Sequence, residues 1–223
     1  MNKKCPNCNL INFLETETCR RCEFDLKNLE VSQITVENKK SPRFPKIIWR
    51  AVVCLSVVIF CVLAFYLSLI FSSSPLQTAE KEKVRRAITI LEEKGFGNEA
   101  FLLNYLAAYR SNDNWLNASV EKENAYAATN FPFEIMTLYP DFFEKTTDDL
   151  ERASILLHEA KHLQGTEEKA AYEFVWRNRK KLGWTKEQYS NSKLYQAVKK
   201  QTKEYAPNLF ICQDGELGDC TDF

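Results

Sequence analysis

With 223 residues, 30 Lys+Arg against 30 Asp+Glu and a formal net charge of zero, the chain lacks the basic excess of a chain-wide polyanion binder, and no nucleic-acid partner is expected. An apolar share of 45%, an aromatic share of 13% and a low content of Gly (6) and Pro (7) exclude a mostly disordered or fibrous protein. The neutrality is a sum over unlike parts. Residues 1–50 hold ten basic and six acidic side chains, leaving +4, whereas residues 51–223 hold twenty and twenty-four, leaving −4.

The N-terminal residues 1–30 contain two CxxC knuckles, Cys5-Pro-Asn-Cys8 and Cys19-Arg-Arg-Cys22, ten residues apart. Each knuckle aims two thiolates at one point, and two of them complete a tetrahedral sulfur site suited to a structural zinc ion. So short a segment cannot build a core, so metal binding would supply most of its folding free energy. The segment resembles the zinc ribbons at the N-termini of many prokaryotic membrane proteins, which implies a structural knob or a docking module for a cytoplasmic protein partner. Disulfides among these cysteines are the competing reading, disfavoured where thiols stay reduced. The mixed local charge, Glu15, Glu17, Glu23 and Asp25 beside Arg20 and Arg21, again gives no case for nucleic acid.

Residues 31–46 read as a polar linker ending in Ser-Pro-Arg-Phe-Pro. A transmembrane helix is predicted over 47–71, because Ala51 to Phe71 runs twenty-one residues without a charge, Gly or Pro. A helix of that length covers roughly 31 Å, the thickness of a bilayer hydrocarbon core. Lys39, Lys40, Arg43, Lys46 and Arg50 crowd its N-terminal side, while Ser72 to Glu80 carry no basic residue. The positive-inside rule then places the N-terminus in the cytoplasm and the C-terminal domain outside, in a single-pass protein; the ribbon's resemblance implies a prokaryotic inner or plasma membrane. Cys54 and Cys61, within the span, read as apolar filler.

Residues 76–223 are long enough for one α+β domain, mainly helical with a small sheet. Helices are predicted over Gln77–Lys94, from Asn98 through Tyr109, from Thr147 or Asp148 to Gln164, from Thr166 to about Leu182, and from Thr185 to about Tyr205. Strand character is confined to Ala125–Thr129 and Phe133–Tyr139. Near the C-terminus Cys212 and Cys220 flank a polar loop, and on the extracytoplasmic side a disulfide between them is the natural reading. The loop's acids Asp214, Glu216 and Asp219 invite calcium, but a solvated turn is preferred.

The chemistry-bearing motif is His158-Glu-Ala-Lys-His162, an HExxH. Residues four apart share a helix face, so both imidazoles can hold one zinc ion while Glu159 points toward the water beside it. These are the only two histidines in the chain, and random placement at this composition produces the match on the order of two times in a thousand chains. The alternative is a pair of ordinary helix-surface histidines. The extended string to Glu168 has the spacing HExxHxxGxxE, with Gly165 and Glu168 in the last two fixed positions.

This frame resembles that of metzincin proteases, where a Gly turns the chain so that the residue three later becomes the third ligand. It departs from them in lacking a Met-turn, since Met1 and Met136 are its only methionines. It also resembles the gluzincins, in which a Glu on a later helix completes a His₂Glu set, and there Glu168, Glu167 and Glu173 compete; Glu168 is favoured and Glu173 is next. The stretch from Ala125 to Leu182 is similar to a minimal zincin fold, with Phe133–Tyr139 as its edge strand. The resemblance implies a zinc-dependent peptidase acting on a peptide or protein substrate, with a zinc-activated water and Glu159 as general base. Tyr172, Tyr189 and Tyr195 remain open as oxyanion helpers. The alternative is a non-catalytic zinc-binding membrane protein acting as scaffold or sensor.

Overall fold

The computed structural model describes residues 2–27, 43–116, 125–212 and 218–221. Most of the predicted linker lies outside the described residues, as do Asp214 and Glu216. The chain divides within its apolar helix into two compact units, Met1–Ser56 and Val57–Phe223.

In the first unit, β1 (Asn2–Lys4) and β2 (Ile11–Phe13) pair antiparallel, with Asn2 opposite Phe13. The two CxxC knuckles are built alike. Cys5 N–H donates to the Leu10 carbonyl and Asn9 N–H to that of Cys5; Cys19 N–H donates to Phe24 and Glu23 N–H to Cys19. In both, the residue after the second cysteine has a left-handed backbone, φ 58° at Asn9 and 56° at Glu23. Such a conformation is costly for Glu and persists only where its surroundings dictate it. The buried apolar cluster amounts to Cys5, Cys19 and Leu26, so sulfur replaces a hydrocarbon core.

Helix α1 spans Arg43–Phe71, four residues further N-terminal than the predicted span. Pro45 falls in its first turn, where a missing N–H costs nothing. The part from Lys46 to Phe71 is long and apolar enough to cross a membrane, and almost none of it is buried by the protein itself.

The second unit continues through α2 (Thr78–Glu93) and α3 (Gly97–Tyr105) into β3 (Ala108–Arg110). Helix α3 ends four residues earlier than predicted, because Ala108–Arg110 joins a sheet. β4 (Ala127–Asn130) and β5 (Ile135–Leu138) complete that sheet in the order β3-β5-β4. β3 runs parallel to β5, with Ala108 opposite Ile135, and β4 runs antiparallel, with Ala127 opposite Leu138. The segment Phe133–Tyr139, expected at the sheet's edge, thus supplies the central strand. All four residues of β5 are buried, as a strand covered on both faces requires. Among the described strands, β4 is the edge on the side of the long helices.

After α4 (Pro140–Glu144) comes α5 (Asp149–Leu163), on which the unit is organised. Asp148 caps it by accepting from Glu151 N–H at 2.9 Å. Ten of its fifteen residues are buried, because α2, α3, α6 and β4 all pack against it. Helix α6 (Glu168–Leu182) returns antiparallel after Gly165, ends at Gly183 and packs on α8. The predicted last helix is broken into α7 (Lys186–Tyr189) and α8 (Lys193–Tyr205). Ser192 breaks it: its hydroxyl accepts from Tyr195 N–H, as a helix N-cap does, and donates to Glu151. Tyr189 Oη donates to Asp148 at 2.6 Å, so the α7–α8 junction clasps the start of α5.

The chain closes with a 3₁₀ turn (Pro207–Phe210) and a Cys212–Cys220 disulfide. Asp219 accepts from Trp176 Nε1 at 3.1 Å and from Arg179 at 3.0 Å. Its carboxylate is therefore committed to pinning the C-terminal loop onto α6.

Leu156, fully buried on the hub helix, offers a test of this packing. Leu156→Ala should cost about 2–5 kcal/mol, seen as a lower Tm of the detergent-solubilised protein. Phe101→Ala, at a half-exposed position, should stay within about 0.5 kcal/mol.

Candidate metal centres

Among the described residues, two clusters bring together residues of metal-ligating type, and each comprises one group named from sequence. In the ribbon, Cys5, Cys8, Cys19 and Cys22 converge within 4.8 Å of one another. Cys5 and Cys22 Sγ lie 3.5 Å apart, and Cys8 and Cys19 Sγ 3.4 Å. Tetrahedral zinc–sulfur bonds of about 2.3 Å separate sulfurs by about 3.8 Å, so a small outward adjustment admits the ion. The amide of Arg21, against the cost of desolvation, and those of Cys22 with neighbouring donors hold the Cys19 thiol down to about 6. All four cysteines carry no disulfide. The set fits a zinc ribbon.

The second cluster sits at the C-terminal end of α5. His158 and His162 stand one turn apart on one face, with their Nε2 atoms 3.1 Å from each other. Gly165, at φ 74°, ends the helix in a left-handed turn that a side chain would strain; a Cβ there would also meet the Phe131 ring at 3.3 Å. The turn reverses the chain and starts α6 at Glu168. One Glu168 oxygen then lies 3.2 Å from His158 Nε2 and the other 3.5 Å from His162 Nε2.

Three distances of 3.1, 3.2 and 3.5 Å surround the value expected for one ion. Bonds of about 2.0–2.1 Å at tetrahedral angles place donor atoms about 3.3 Å apart. The tautomer agrees. His162 Nδ1 lies 2.9 Å from the Thr166 carbonyl, which can only accept, so Nδ1 carries the proton and a neutral ring turns its Nε2 lone pair to the cluster. Hydrogen bonds from His158 and then His162 hold the Glu168 carboxyl well below the usual carboxylate range, overcoming burial. Burial disfavours a charged His162, but Glu168, Glu159 and the Thr166 carbonyl outweigh it and raise the imidazole to about 9. The site favours a cation between its donors.

The other two glutamates weighed as third ligand lie elsewhere. Glu173 binds Arg177 through one oxygen, at 2.8 and 2.9 Å, and Glu167 is the exposed residue before α6.

Glu159 is 5% exposed and accepts from the Thr129 hydroxyl at 2.7 Å. Thr129 lies on β4, and nothing in the sequence pointed to it, since its role depends on how that strand registers against α5. Together with His158 and Glu168, Glu159 opens into a cavity of about 280 Å³. Ala125 to Ala127 form one wall, Ile155, Val175, Leu194 and Val198 the apolar side, and Tyr172, Gln201 and Tyr205 the polar side.

Of the three tyrosines left open, Tyr172 lines this cavity, its ring centroid 4.4 Å from that of His158 and stacked at 9° on Tyr205. Burial and the nearby charges of Glu168 and Glu159 raise its phenol, which stays a hydrogen-bond donor. Tyr189 is committed to Asp148, and Tyr195 is buried among Trp176 and Trp184. Tyr205 was not anticipated from sequence.

Comparison with protein-family models, with curated proteins and with solved structures finds no match for this chain.

Metal analysis of the full chain checks both clusters. About two zinc ions per chain are expected, one lost on His158→Ala and the other on Cys5→Ser, while Glu173→Gln retains both.

Proposed function

We propose that the chain is a membrane-anchored, zinc-dependent peptidase, zincin-like in its active-site helix, with a structural zinc in the N-terminal ribbon. The observation that carries this reading is the three-donor cluster of His158, His162 and Glu168, of which His158 and Glu168 line the same cavity as the buried, oriented carboxylate of Glu159. A buried carboxylate beside the three donors, oriented by Thr129, is the general base that hydrolysis needs. Bound zinc would supply Lewis acidity toward water and a peptide carbonyl.

The chain's own groups do the rest. Thr129 fixes the rotamer of Glu159 through its hydrogen bond. Glu159 accepts a proton from water as the water oxygen adds to the peptide carbon. The same carboxyl returns that proton to the amine as the carbon–nitrogen bond breaks. The Tyr172 phenol is the donor best placed to steady the developing oxyanion. β4, at the edge of the sheet and continuous with the cavity wall at Ala125–Ala127, would hold an extended substrate by backbone pairing. In this reading the helix from Lys46 to Phe71 spans the membrane, the basic residues before it stay cytoplasmic, and the ribbon docks a cytoplasmic protein while the peptidase domain faces outward.

Cleavage of a broad peptide library by the solubilised full chain, with and without chelator, tests the reading. Glu159→Gln should keep both zinc ions and lower kcat by about 10²–10⁴-fold. Thr129→Val should lower kcat by roughly tenfold with zinc content unchanged, the worth of one hydrogen bond to a charged group. Zinc-loaded protein that cleaves nothing, or a Glu159→Gln variant as active as wild type, contradicts the peptidase reading; the first result favours a scaffold or sensor.

A further inference from the structure

The last two turns of α1 are not bare. Phe65 meets the edge of the Trp115 ring at 5.5 Å between centroids, and the Phe133 ring at 5.2 Å. Trp115 Nε1–H donates to Ser68 Oγ at 3.2 Å, and its backbone N–H to Ser72 Oγ at 3.3 Å. Two segments of the C-terminal domain, the loop before residue 117 and the β4–β5 turn, thus grip the helix well short of its end.

The register of the helix converts this grip into a depth. The uncharged run Ala51–Phe71 matches a hydrocarbon core of about 30 Å with little to spare. Phe65 lies six residues before Phe71, about 9 Å along the axis. The Trp115 and Phe133 rings, packed on Phe65, reach that level, while the Trp115 backbone N–H sits at Ser72, just past the helix end. Sliding the helix outward to lift them clear would leave a run of only about 22 Å, from Ala51 to Phe65, and would draw Arg50 into hydrocarbon.

The chemistry of the rim agrees with that depth. Trp115 is 51% exposed, Leu116 41% and Phe131 59%, large apolar side chains that the protein leaves about half uncovered. Both N–H groups of Trp115 are satisfied by serine hydroxyls, Ser68 within α1 and Ser72 just past its end, as groups removed from water require. Asp113 accepts from Tyr139 Oη at 2.7 Å, and Asn114 is buried, so the two polar side chains next to Trp115 turn inward, while Asn112 is exposed. Glu134, the acid of the β4–β5 turn, is itself only partly exposed.

We propose that Trp115, Leu116, Phe131 and Phe133 form a lipid-inserted seat that embeds this edge of the C-terminal domain in the bilayer leaflet around the end of α1. The inference rests on the reading of α1 as a membrane span. The seat is coupled to the metal cluster. The Phe131 ring covers Gly165, three residues after His162, and β4 leads from Asn130 directly to Thr129, which holds Glu159. Lipid insertion therefore holds the three-donor cluster near the membrane surface instead of on a free tether.

The test uses the full chain in phosphatidylcholine–phosphatidylglycerol vesicles. Trp176 and Trp184 are fully buried, so in a Trp49→Phe background the emission difference from Trp49→Phe/Trp115→Phe belongs to Trp115. That component should lose most of its intensity to lipid brominated high on the acyl chain and little to aqueous acrylamide. Phe131→Trp in the double-variant background reports a second position, with the same expectation. Quenching by acrylamide and not by bromolipid, in protein that resists alkaline carbonate extraction, overturns the seat and leaves the span intact. Quenching by neither means that protein covers the patch, which also overturns it. Release of the chain by carbonate removes the span and the seat together.

Discussion

Two imidazole nitrogens 3.1 Å apart impose a demand that the rest of the C-terminal unit answers. With His162 Nδ1–H committed to a carbonyl, the neutral ring presents a lone pair to its neighbour, and that lone pair must be met by an N–H of His158 or by a metal ion. The demand arises because the two residues are a helical turn apart on α5, which four other elements hold in place. Gly165 then decides what faces the pair. Its left-handed turn starts α6 three residues later, and the first carboxylate of that helix spans both rings. The N-terminus of α6 favours negative charge at that position as well.

The same helix separates structure from chemistry along its length. Its first turn is a closed polar network: Glu151 accepts from Thr147 N–H and Ser192, while Asp148 accepts from Tyr189. Its middle is hydrocarbon, and its last turn is polar again but open to a cavity. The ribbon at the other end of the chain solves a different problem. With three buried apolar residues and a strained backbone at Glu23, its fold depends on what its four thiols share.

Local pattern made much of this legible. The CxxC knuckles, the apolar span and the HExxH helix are contiguous in sequence, so their residues meet whenever the local structure forms. The sheet was harder. Ala108–Arg110 continues an apolar helical stripe and becomes a strand only because β5, some 25 residues later, lies parallel beside it. That non-local pairing also moved Phe133–Tyr139 from the edge to the centre and left β4 as the strand carrying Thr129. The break at Ser192 was written in a good N-cap residue, but the partner that fixes it, Glu151, is forty-one residues away. Tyr205 reaches the cavity for a similar reason, through the packing of α8 on α6.

The central claim is that His158, His162 and Glu168 form a zinc site distinct from the sulfur site of the ribbon. The zinc K-edge absorption spectrum of the metal-replete full chain reads both sites at once. The account predicts an average shell of about two sulfurs near 2.3 Å and about two nitrogen or oxygen atoms near 2.0–2.1 Å, one site contributing each kind. A shell of sulfur alone, with one zinc per chain, would contradict it.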